Sequence, residues 1–396
     1  MSLALRFLVC VVAAAVPLVP AFADEAKPVT KPAEGKAIDL VLCLDVSGSM
    51  NGLIDSAKIK LWDLVNEMAR LKPTPNLRVA LYSYGHSTYP AEKGWVRKDM
   101  DLTSDLDDVY KALNSLTING GEEYVARVTK TALDEQKWTA EPGALKLIFV
   151  CGNEPVDQDK QVKLDDVAKQ AKKADVIINT IYCSWGHDQE IAGWEAYSKQ
   201  CGGRHVNIDQ NKSVKQIAVK TEFDEKILKL NDDLNKTYVA YGKEGKDRQA
   251  NQVQQDANAT KAAGPAAPGG AAPVPVAALE RASSKAGALY RNSGWDLVDK
   301  MKEKDFDITK LKDEDLCDEM KKLKPEERVA YVKKKAAERA ELQKQIGELS
   351  AKRQKKVDDE LAKKPRSENE KALDEAVKGV VRDQAKAKGF EVPEKK

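Results

Sequence analysis

Between residues 36 and 209, short apolar runs alternate with segments in which apolar residues recur every three or four positions. The run from Ile38 to Asp45 is apolar almost throughout, which is typical of a strand buried on both faces of a parallel sheet. The segment from Leu53 to Leu71 has the spacing of an amphipathic helix. Apolar runs predict strands at 38–45, 77–84, 95–102, 145–151, 176–183 and 203–208. Because helical segments separate the strands, we expect an α/β fold: a doubly wound, mostly parallel six-stranded sheet with helices on both faces.

Beyond residue 209 the pattern predicts helices and no further strands. A helix at 223–238 is expected to close the first domain, which spans residues 37–242. The next stretch, 243–277, is polar at first and then consists largely of Ala, Pro and Gly, a composition typical of linkers. We expect the remainder, 278–396, to be a charged, helical and partly disordered region.

The longest predicted helix begins at Pro325, a residue suited to a first helical turn, and ends near Lys364. Its apolar residues keep a spacing of three to four positions, but Arg339 and Arg353 interrupt the apolar stripe. The pattern therefore favours an amphipathic helix or a helical hairpin over a sustained coiled coil. We expect the C-terminal helices to self-associate or to hold a second partner.

The first 23 residues have the organisation of a secretory signal peptide. Arg6 supplies the positive charge, Phe7 to Val19 is apolar, and Ala21–Ala23 carries the small residues that precede a cleavage site. The apolar run is shorter than the roughly 20 residues that a spanning helix needs. We therefore expect export to the periplasm or the exterior, and a mature chain without a transmembrane segment that starts with a flexible stretch at 24–36.

The charge balance and the cysteines narrow the class of protein. The 396 residues include 65 basic and 63 acidic side chains, so the net charge of +2 gives no reason to expect nucleic acid as a partner. Without the predicted signal peptide, the five remaining cysteines are irregularly spaced, which does not indicate a disulfide framework. No phosphate-binding glycine motif and no nucleophile elbow is present. We expect a protein that is not an enzyme.

The most informative motif follows the first predicted strand, where Asp45, Ser47 and Ser49 stand at alternate positions. In an open parallel sheet, ligands bind beyond the carboxyl ends of the strands. One carboxylate and two hydroxyls on a tight turn direct oxygen atoms to one point, and oxygen is the ligand that hard divalent cations prefer. The sequence therefore predicts a cation site, with Mg²⁺ as the expected ion and Mn²⁺ or Ca²⁺ as alternatives.

This motif, its strand and the long helix after it resemble the opening of a von Willebrand factor type A (VWA) domain, over roughly residues 38–209. In that family the motif is the core of the metal-ion-dependent adhesion site, or MIDAS. The segments 120–125, 150–155, 207–211 and 238–242 further resemble a group of exported bacterial VWA proteins with a charged helical C-terminal half. The resemblance implies a binding role.

Two positions depart from the family's complete metal site. The family usually has a threonine ligand in its second loop, where this chain has Glu122. Its fourth strand usually ends in Thr-Asp-Gly, where this chain has Cys151-Gly152-Asn153 and so lacks the carboxylate. Glu122 is one hypothetical ligand, since a local carboxylate could fill the coordination position that family sites leave to a partner. In the alternative interpretation Glu122 turns to solvent, and Asp45, Ser47 and Ser49 only cap the following helix.

The expected function is that of an extracytoplasmic protein-binding or scaffolding module with a partial MIDAS. Its partner-binding rim would comprise His86, Asn153 and Glu154, which the predicted fold places on the same face as the motif. The alternative is an accessory subunit of a larger complex, in which the VWA domain is structural and the helical C-terminal half mediates assembly.

Overall fold

The structure, a computed structural model, describes residues 35–184, 189–209, 219–262, 273–363 and 368–393. The predicted signal peptide, nearly all of the predicted flexible segment after it, and the middle of the predicted linker lie outside the described residues. Everything said below about the fold concerns these ranges.

A six-stranded sheet forms the centre of the first half of the chain. Its strands are β1 (Ala37–Asp45), β2 (Asn76–Tyr84), β3 (Val96–Thr103), β4 (Leu145–Gly152), β5 (Ile177–Ser184) and β6 (His205–Asp209). They lie in the order β3-β2-β1-β4-β5-β6, and every neighbouring pair is parallel except β2 and β3. The almost uniformly apolar β1 is central, between β2 and β4, which is why it needs apolar residues on both faces. The predicted fold class is confirmed.

Helices cover both faces of the sheet. The helices of this half are α1 (Asn51–Ala69), α2 (Leu106–Asn114), α3 (Val125–Glu135), α4 (Leu164–Lys173) and α5 (Ile191–Gln200). Successive residues of a strand point to opposite faces. Leu40 accordingly packs in the core formed with α1 and α2, whereas Val41 packs in the core formed with α3, α4 and α5. The sheet thus separates two apolar layers.

The C-terminal helices pack on the α1 and α2 face of the sheet. They are α6 (Asp224–Asn235), α7 (Gly245–Lys261), α8 (Val276–Ala286), α9 (Leu297–Lys300), α10 (Asp318–Lys321), α11 (Pro325–Ala362) and α12 (Glu368–Ala387). Apolar residues of α6, α8, α11 and α12 belong to the same core as the strands. None of the described helices is long and apolar enough to cross a membrane.

Helix α7 occupies part of the segment predicted to be a linker. Its burial depends on polar groups: Asn231 and Asn235 donate hydrogen bonds to Asp256 at 2.9 and 2.7 Å, and Gln252 donates to the Tyr290 hydroxyl at 3.1 Å. A helix that packs through amides and a carboxylate has no apolar periodicity. For that reason the hydrophobic pattern did not predict it.

The long helix α11 presents one stripe of buried residues at intervals of seven: Val332, Arg339, Ile346 and Arg353. Arg339 forms a two-pronged ion pair with the buried Asp296, with N–O distances of 2.6 and 3.0 Å. Arg353 lies 3.0 Å from Asp224 and 3.3 Å from Glu280. The arginines that appeared to interrupt the stripe therefore belong to it, because buried acidic partners on the rest of the chain receive them.

A second buried ionic cluster joins α2, α7 and α8. Arg281 lies 2.6 Å from Asp107 and 2.6 Å from Asp256, and its guanidinium stacks over the Trp62 ring. Lys285, which has no solvent exposure, lies 2.9 Å from Asp256. Buried charges are tolerated only when they are paired and hydrogen-bonded. This cluster ties the C-terminal helices to the helical layer of the sheet.

Candidate functional site

The candidate site lies beyond the carboxyl ends of β1 and β4, where the sequence predicted it. Asp45 is the last residue of β1, and the turn after it is held to the sheet because Val46 donates its N–H to the Tyr84 carbonyl at 2.9 Å. The Ser47 N–H donates to Asp45 Oδ1 at 2.7 Å. A short 3-10 turn at Gly48–Met50 then leads into α1. The tight turn thereby folds the chain back over the aspartate carboxylate.

The structure brings both serines and Asn153 to this carboxylate. The Ser47 and Ser49 hydroxyl oxygens lie 3.1 Å apart, and the Ser49 hydroxyl donates to Asn153 Oδ1 at 3.2 Å. Asn153 follows β4, so the contact joins the ends of two neighbouring parallel strands. The arrangement collects one carboxylate, two hydroxyls and one amide oxygen.

Asp45 is the chemically unusual member of this group. Its side chain has no solvent exposure, and its Oδ2 accepts no hydrogen bond from any group the structure describes. The pKa of Asp45 is raised to about 8, mainly by burial; hydrogen bonds from Ser47 oppose the rise, and the Glu123 and Glu154 carboxylates contribute to it. A buried carboxylate oxygen without a donor is costly unless a proton or a cation satisfies it. The donor set therefore fits a hard divalent cation.

Glu123, and not the predicted Glu122, lies against this group. Glu122 is exposed, whereas Glu123 is half-buried with its carboxylate in hydrogen-bonding reach of the Ser47 hydroxyl. A side chain built on Gly85 would begin 3.0 Å from both Asp45 Oδ1 and Glu123 Cγ, so these two side chains are neighbours. Burial raises the pKa of Glu123 to about 7, and the Glu154 carboxylate adds to the effect.

The sequence prediction named Glu122 and did not consider its neighbour Glu123. It assigned the second loop by counting from Gly120-Gly121, and two adjacent glutamates cannot be told apart by such a count. The available signal was the helix start: α3 begins at Val125, and Glu123 precedes it by two residues, on the extended chain that reaches the site.

The predicted rim residues have different surroundings. Glu154 is half-buried, and its carboxylate is close enough to raise the pKa values of Asp45 and Glu123. His86 is buried: its ring stacks on Tyr89 with centroids 4.8 Å apart, and its Nδ1 lies 2.9 Å from the Thr88 hydroxyl. Its Nε2 lies 3.3 Å from the Thr117 hydroxyl, so the ring is enclosed between two loops and is not exposed as the predicted rim would require.

Three carboxylates thus influence one another electrostatically at this end of the sheet: Asp45, Glu123 and Glu154. No Lys or Arg side chain that the structure describes forms a salt bridge with any of them. The described residues also contain no cluster of three or more His, Cys, Asp or Glu side chains arranged as a metal site. Any cation here would depend on serine hydroxyls as well as carboxylates.

Solved structures with a similar fold include proximal thread matrix protein 1 from the mussel byssus, in a form with a zinc-occupied MIDAS motif. It is 14% identical, with 45% of this chain and 43% of that chain covered and a TM-score of 0.36. The SpRpn10 VWA domain is 16% identical, with 46% of this chain and 100% of that chain covered and a TM-score of 0.34. This chain spans less than half of the mussel protein. At these identities the likeness concerns the fold alone.

A family comparison identifies the domain that carries the site. No curated protein matches the chain in sequence. Residues 39–218 match the family model for the von Willebrand factor type A domain, and this span contains all six strands apart from the start of β1, together with the residues around Asp45. Residues 39–218 therefore form a von Willebrand factor type A domain.

Proposed function

We propose that this chain is an extracytoplasmic protein-binding or scaffolding module whose VWA domain holds a divalent cation at Asp45, Ser47 and Ser49. The role is binding and not catalysis. The chain would act after export, in the manner of the exported bacterial VWA proteins that its sequence resembles. VWA domains often mediate protein interactions, and the loops at the carboxyl ends of β1 and β4 are the surface offered to a partner.

The observation that carries the cation is the unpartnered Asp45 Oδ2. The atom is buried, accepts no hydrogen bond from a described group, and belongs to a carboxylate beside two serine hydroxyls. If the turn only capped helix α1, the carboxylate would accept N–H groups of the first turn of that helix, as Asp105 does for α2, or face solvent. Here Oδ1 accepts the Ser47 N–H and Oδ2 accepts none.

Chemistry also limits what the site would hold. Asp45 would supply the charged oxygen, and Ser47 and Ser49 would supply neutral ones, with water completing the shell. Mg²⁺ retains several waters and suits such a small set of oxygen donors, while Mn²⁺ and Ca²⁺ accept the same donors. When bound, the cation would neutralise part of the charge of the three neighbouring carboxylates.

Calorimetric titration tests the cation directly. Mg²⁺, Mn²⁺ and Ca²⁺ are titrated into the full mature chain, residues 24–396, and into the variants Asp45→Asn and Asp166→Asn. Asp166 is exposed on α4, so its variant removes the same charge far from the site. We expect one saturable site in the wild type and in Asp166→Asn, and none in Asp45→Asn. The absence of binding in the wild type would refute the proposed cation site.

A second experiment tests whether the protein is exported and its signal peptide removed. The full chain with a C-terminal tag is expressed, extracytoplasmic fractions are collected, and the N-terminus of the tagged protein is sequenced. We expect the exported protein to begin at Asp24, because cleavage follows the small residues at Ala21–Ala23. Deletion of residues 2–23 serves as the control and should keep the protein in the cytoplasm. An uncleaved, retained wild-type chain would contradict the extracytoplasmic role.

A further inference from the structure

The side chain of Glu123 reaches the site from a loop that is firmly packed. Gly121 lies so close to the β2 end that a Cβ added to it would stand 2.7 Å from the Gly85 carbonyl oxygen. The Glu123 Cγ and Asp45 Oδ1 in turn flank the same point on Gly85. Backbone contact therefore fixes the start of this loop, and this packing holds Glu123 beside Asp45.

Two of the three proposed ligands, Asp45 and Ser47, are closed off from solvent. Asp45 is fully buried and Ser47 is only 2% exposed, although both stand at the end of the sheet where an open binding site would be accessible. Glu123 is among the side chains over this end, because it contacts Gly85 and lies in hydrogen-bonding reach of Ser47. A carboxylate brought by another protein would therefore find Asp45 and Ser47 buried, with Glu123 already beside them.

The negative charge that a divalent cation needs from its ligands also points to Glu123. Asp45 with two neutral hydroxyls would leave a divalent cation with a net positive charge, and ligand charge is a principal determinant of affinity in oxygen sites. Glu123 is the carboxylate that lies beside Asp45 and also interacts with one of the proposed ligands, Ser47. Glu122, its neighbour, is exposed and has no such contact among the described groups.

We propose that Glu123 is an internal ligand of the cation, in the coordination position that a partner's acidic residue would otherwise take. The site is then complete within this chain. The ion stabilises the junction of β1, β2 and the loop before α3, and the domain recognises its partner through other loop groups. This inference rests on the proposed cation at Asp45.

The test uses Mn²⁺ and the full mature chain with three variants. Glu123→Gln removes the internal carboxylate, Glu123→Asp keeps the charge but shortens its reach, and Glu122→Gln is the matched control on the exposed neighbour. Calorimetry gives the Mn²⁺ affinity, and water-proton relaxation gives the number of exchangeable waters on the bound ion. Thermal unfolding of each metal-free variant verifies that it is folded.

We expect Glu123→Gln to bind Mn²⁺ about tenfold more weakly or worse, since a charged ligand is lost, and to show at least one more exchangeable water. Glu123→Asp should also gain a water, and Glu122→Gln should match the wild type in both measurements. Equal water numbers in the wild type and Glu123→Gln would overturn the internal ligand while leaving the cation site intact. If the wild type binds no Mn²⁺, the proposed cation site and this inference both fail.

Discussion

Gly85 is the residue on which the geometry of the site depends. Its φ of +83° is in the left-handed region, and a Cβ there would begin 3.0 Å from both Asp45 Oδ1 and Glu123 Cγ. Real Cβ atoms essentially never stand closer than this, so a methyl group must displace one of the two carboxylate side chains. The glycine therefore serves both the turn and the close approach of two acidic residues.

Gly85→Ala should lower the free energy of unfolding by more than the strain of a left-handed backbone conformation alone would explain. Gly143→Ala is the control, because Gly143 has a φ of +79° with no atom within 4 Å of its added Cβ. We expect a loss of about 1–2 kcal/mol for Gly143→Ala from backbone strain, and a further loss of about 1–3 kcal/mol for Gly85→Ala from crowding. Urea denaturation of both variants measures the difference. Equal losses would show that the space around Gly85 is unimportant.

At the residue scale the sequence predicted part of the site. Asp45, Ser47 and Ser49 were predictable because their spacing on one turn fixes where their oxygens point, and Asn153 because parallel strands end at one edge of the sheet. Glu123 was not, since the choice between two adjacent glutamates depends on the path of a loop. The orientation of His86 depends also on Thr117, which is thirty-one residues away in the sequence, so its contact is tertiary.

Among the helices, α11 is attached to the rest of the protein by a buried ion pair. Arg339 is 2% exposed, bonds to Asp296 and to the Thr237 carbonyl, and stacks over the Tyr238 ring with its carbon 3.9 Å from the centroid. Asp296 itself has no exposure and also accepts the Val239 N–H at 2.7 Å. The two charges are therefore sealed from water, and each is the main partner of the other.

Arg339→Ala should cost about 3–5 kcal/mol in the free energy of unfolding, because it leaves the Asp296 charge buried with too few donors. Lys334→Ala, on the exposed side of the same helix, is the control and should change stability by less than about 0.5 kcal/mol. Chemical denaturation followed by circular dichroism measures both. A small effect of Arg339→Ala would mean that α11 is held by its apolar contacts alone.

The cluster around Asp256 makes a prediction about acid stability. Burial by itself raises the pKa of Asp256, but the Lys285 ammonium and the Arg281 guanidinium outweigh it and hold the pKa well below its usual range. The folded state therefore keeps this carboxylate charged where the unfolded chain would protonate it. The resulting stabilisation is complete above the unfolded pKa of about 4 and is lost as the pH falls below it.

Asp256→Asn should accordingly cost about 3–5 kcal/mol at pH 7, and its difference from the wild type should shrink as the pH falls below about 4. Asp232→Asn, on the exposed side of α6, should differ little from the wild type at any pH. Urea denaturation at a series of pH values gives these differences. A gap between wild type and Asp256→Asn that stays constant down to pH 2 would refute the assignment.

At the element scale the strands were the best predicted, since buried parallel strands are continuous apolar runs. The C-terminal helices were predicted as helices but not in their packing. An arginine in an apolar stripe is ambiguous until the acidic group opposite is known, and Asp296 and Asp224 are remote in sequence from Arg339 and Arg353. Helix α7, which packs through amides and Asp256, left no apolar signal at all.

For the molecule as a whole, the C-terminal helices complete the core of the VWA domain. Asn66 of α1 donates to the Glu280 carbonyl of α8 at 3.0 Å, and Ser284 of α8 donates to Asn66 at 2.6 Å. After α12, Glu391 exchanges two backbone hydrogen bonds with Lys72, at 2.8 and 3.0 Å. A fragment ending at residue 242 would expose apolar surface of α1 and α2, so the domain is best studied in the full chain.

A chain cut between its two halves should remain associated. A protease site is inserted between residues 263 and 272, the protein is cleaved, and the fragments are followed by size-exclusion chromatography in 1 M salt. We expect co-elution, because the contacts include a shared apolar core as well as buried ion pairs that salt screens weakly. The double variant Arg281→Ala, Arg353→Ala removes ion pairs that cross the cut, to Asp107, Asp256 and Asp224, and should release the C-terminal fragment. Separation of the wild-type fragments would contradict a shared core.

The alternation of aliphatic and guanidinium groups along α11 also determines where the helix lies along its axis relative to the elements that it packs against. A uniform apolar stripe of period seven would accept a shift by one repeat, about 10.5 Å along the axis, at little cost. Here a shift by seven residues would move Arg339 and Arg353 into the apolar surroundings that now receive Val332 or Ile346. The buried carboxylates of Asp296 and Asp224 would then lose their arginine partners. The first shift that restores the pattern is fourteen residues, about 21 Å, which would carry more than a third of the helix beyond its support. The two arginines thus allow only one register of α11 against the rest of the protein.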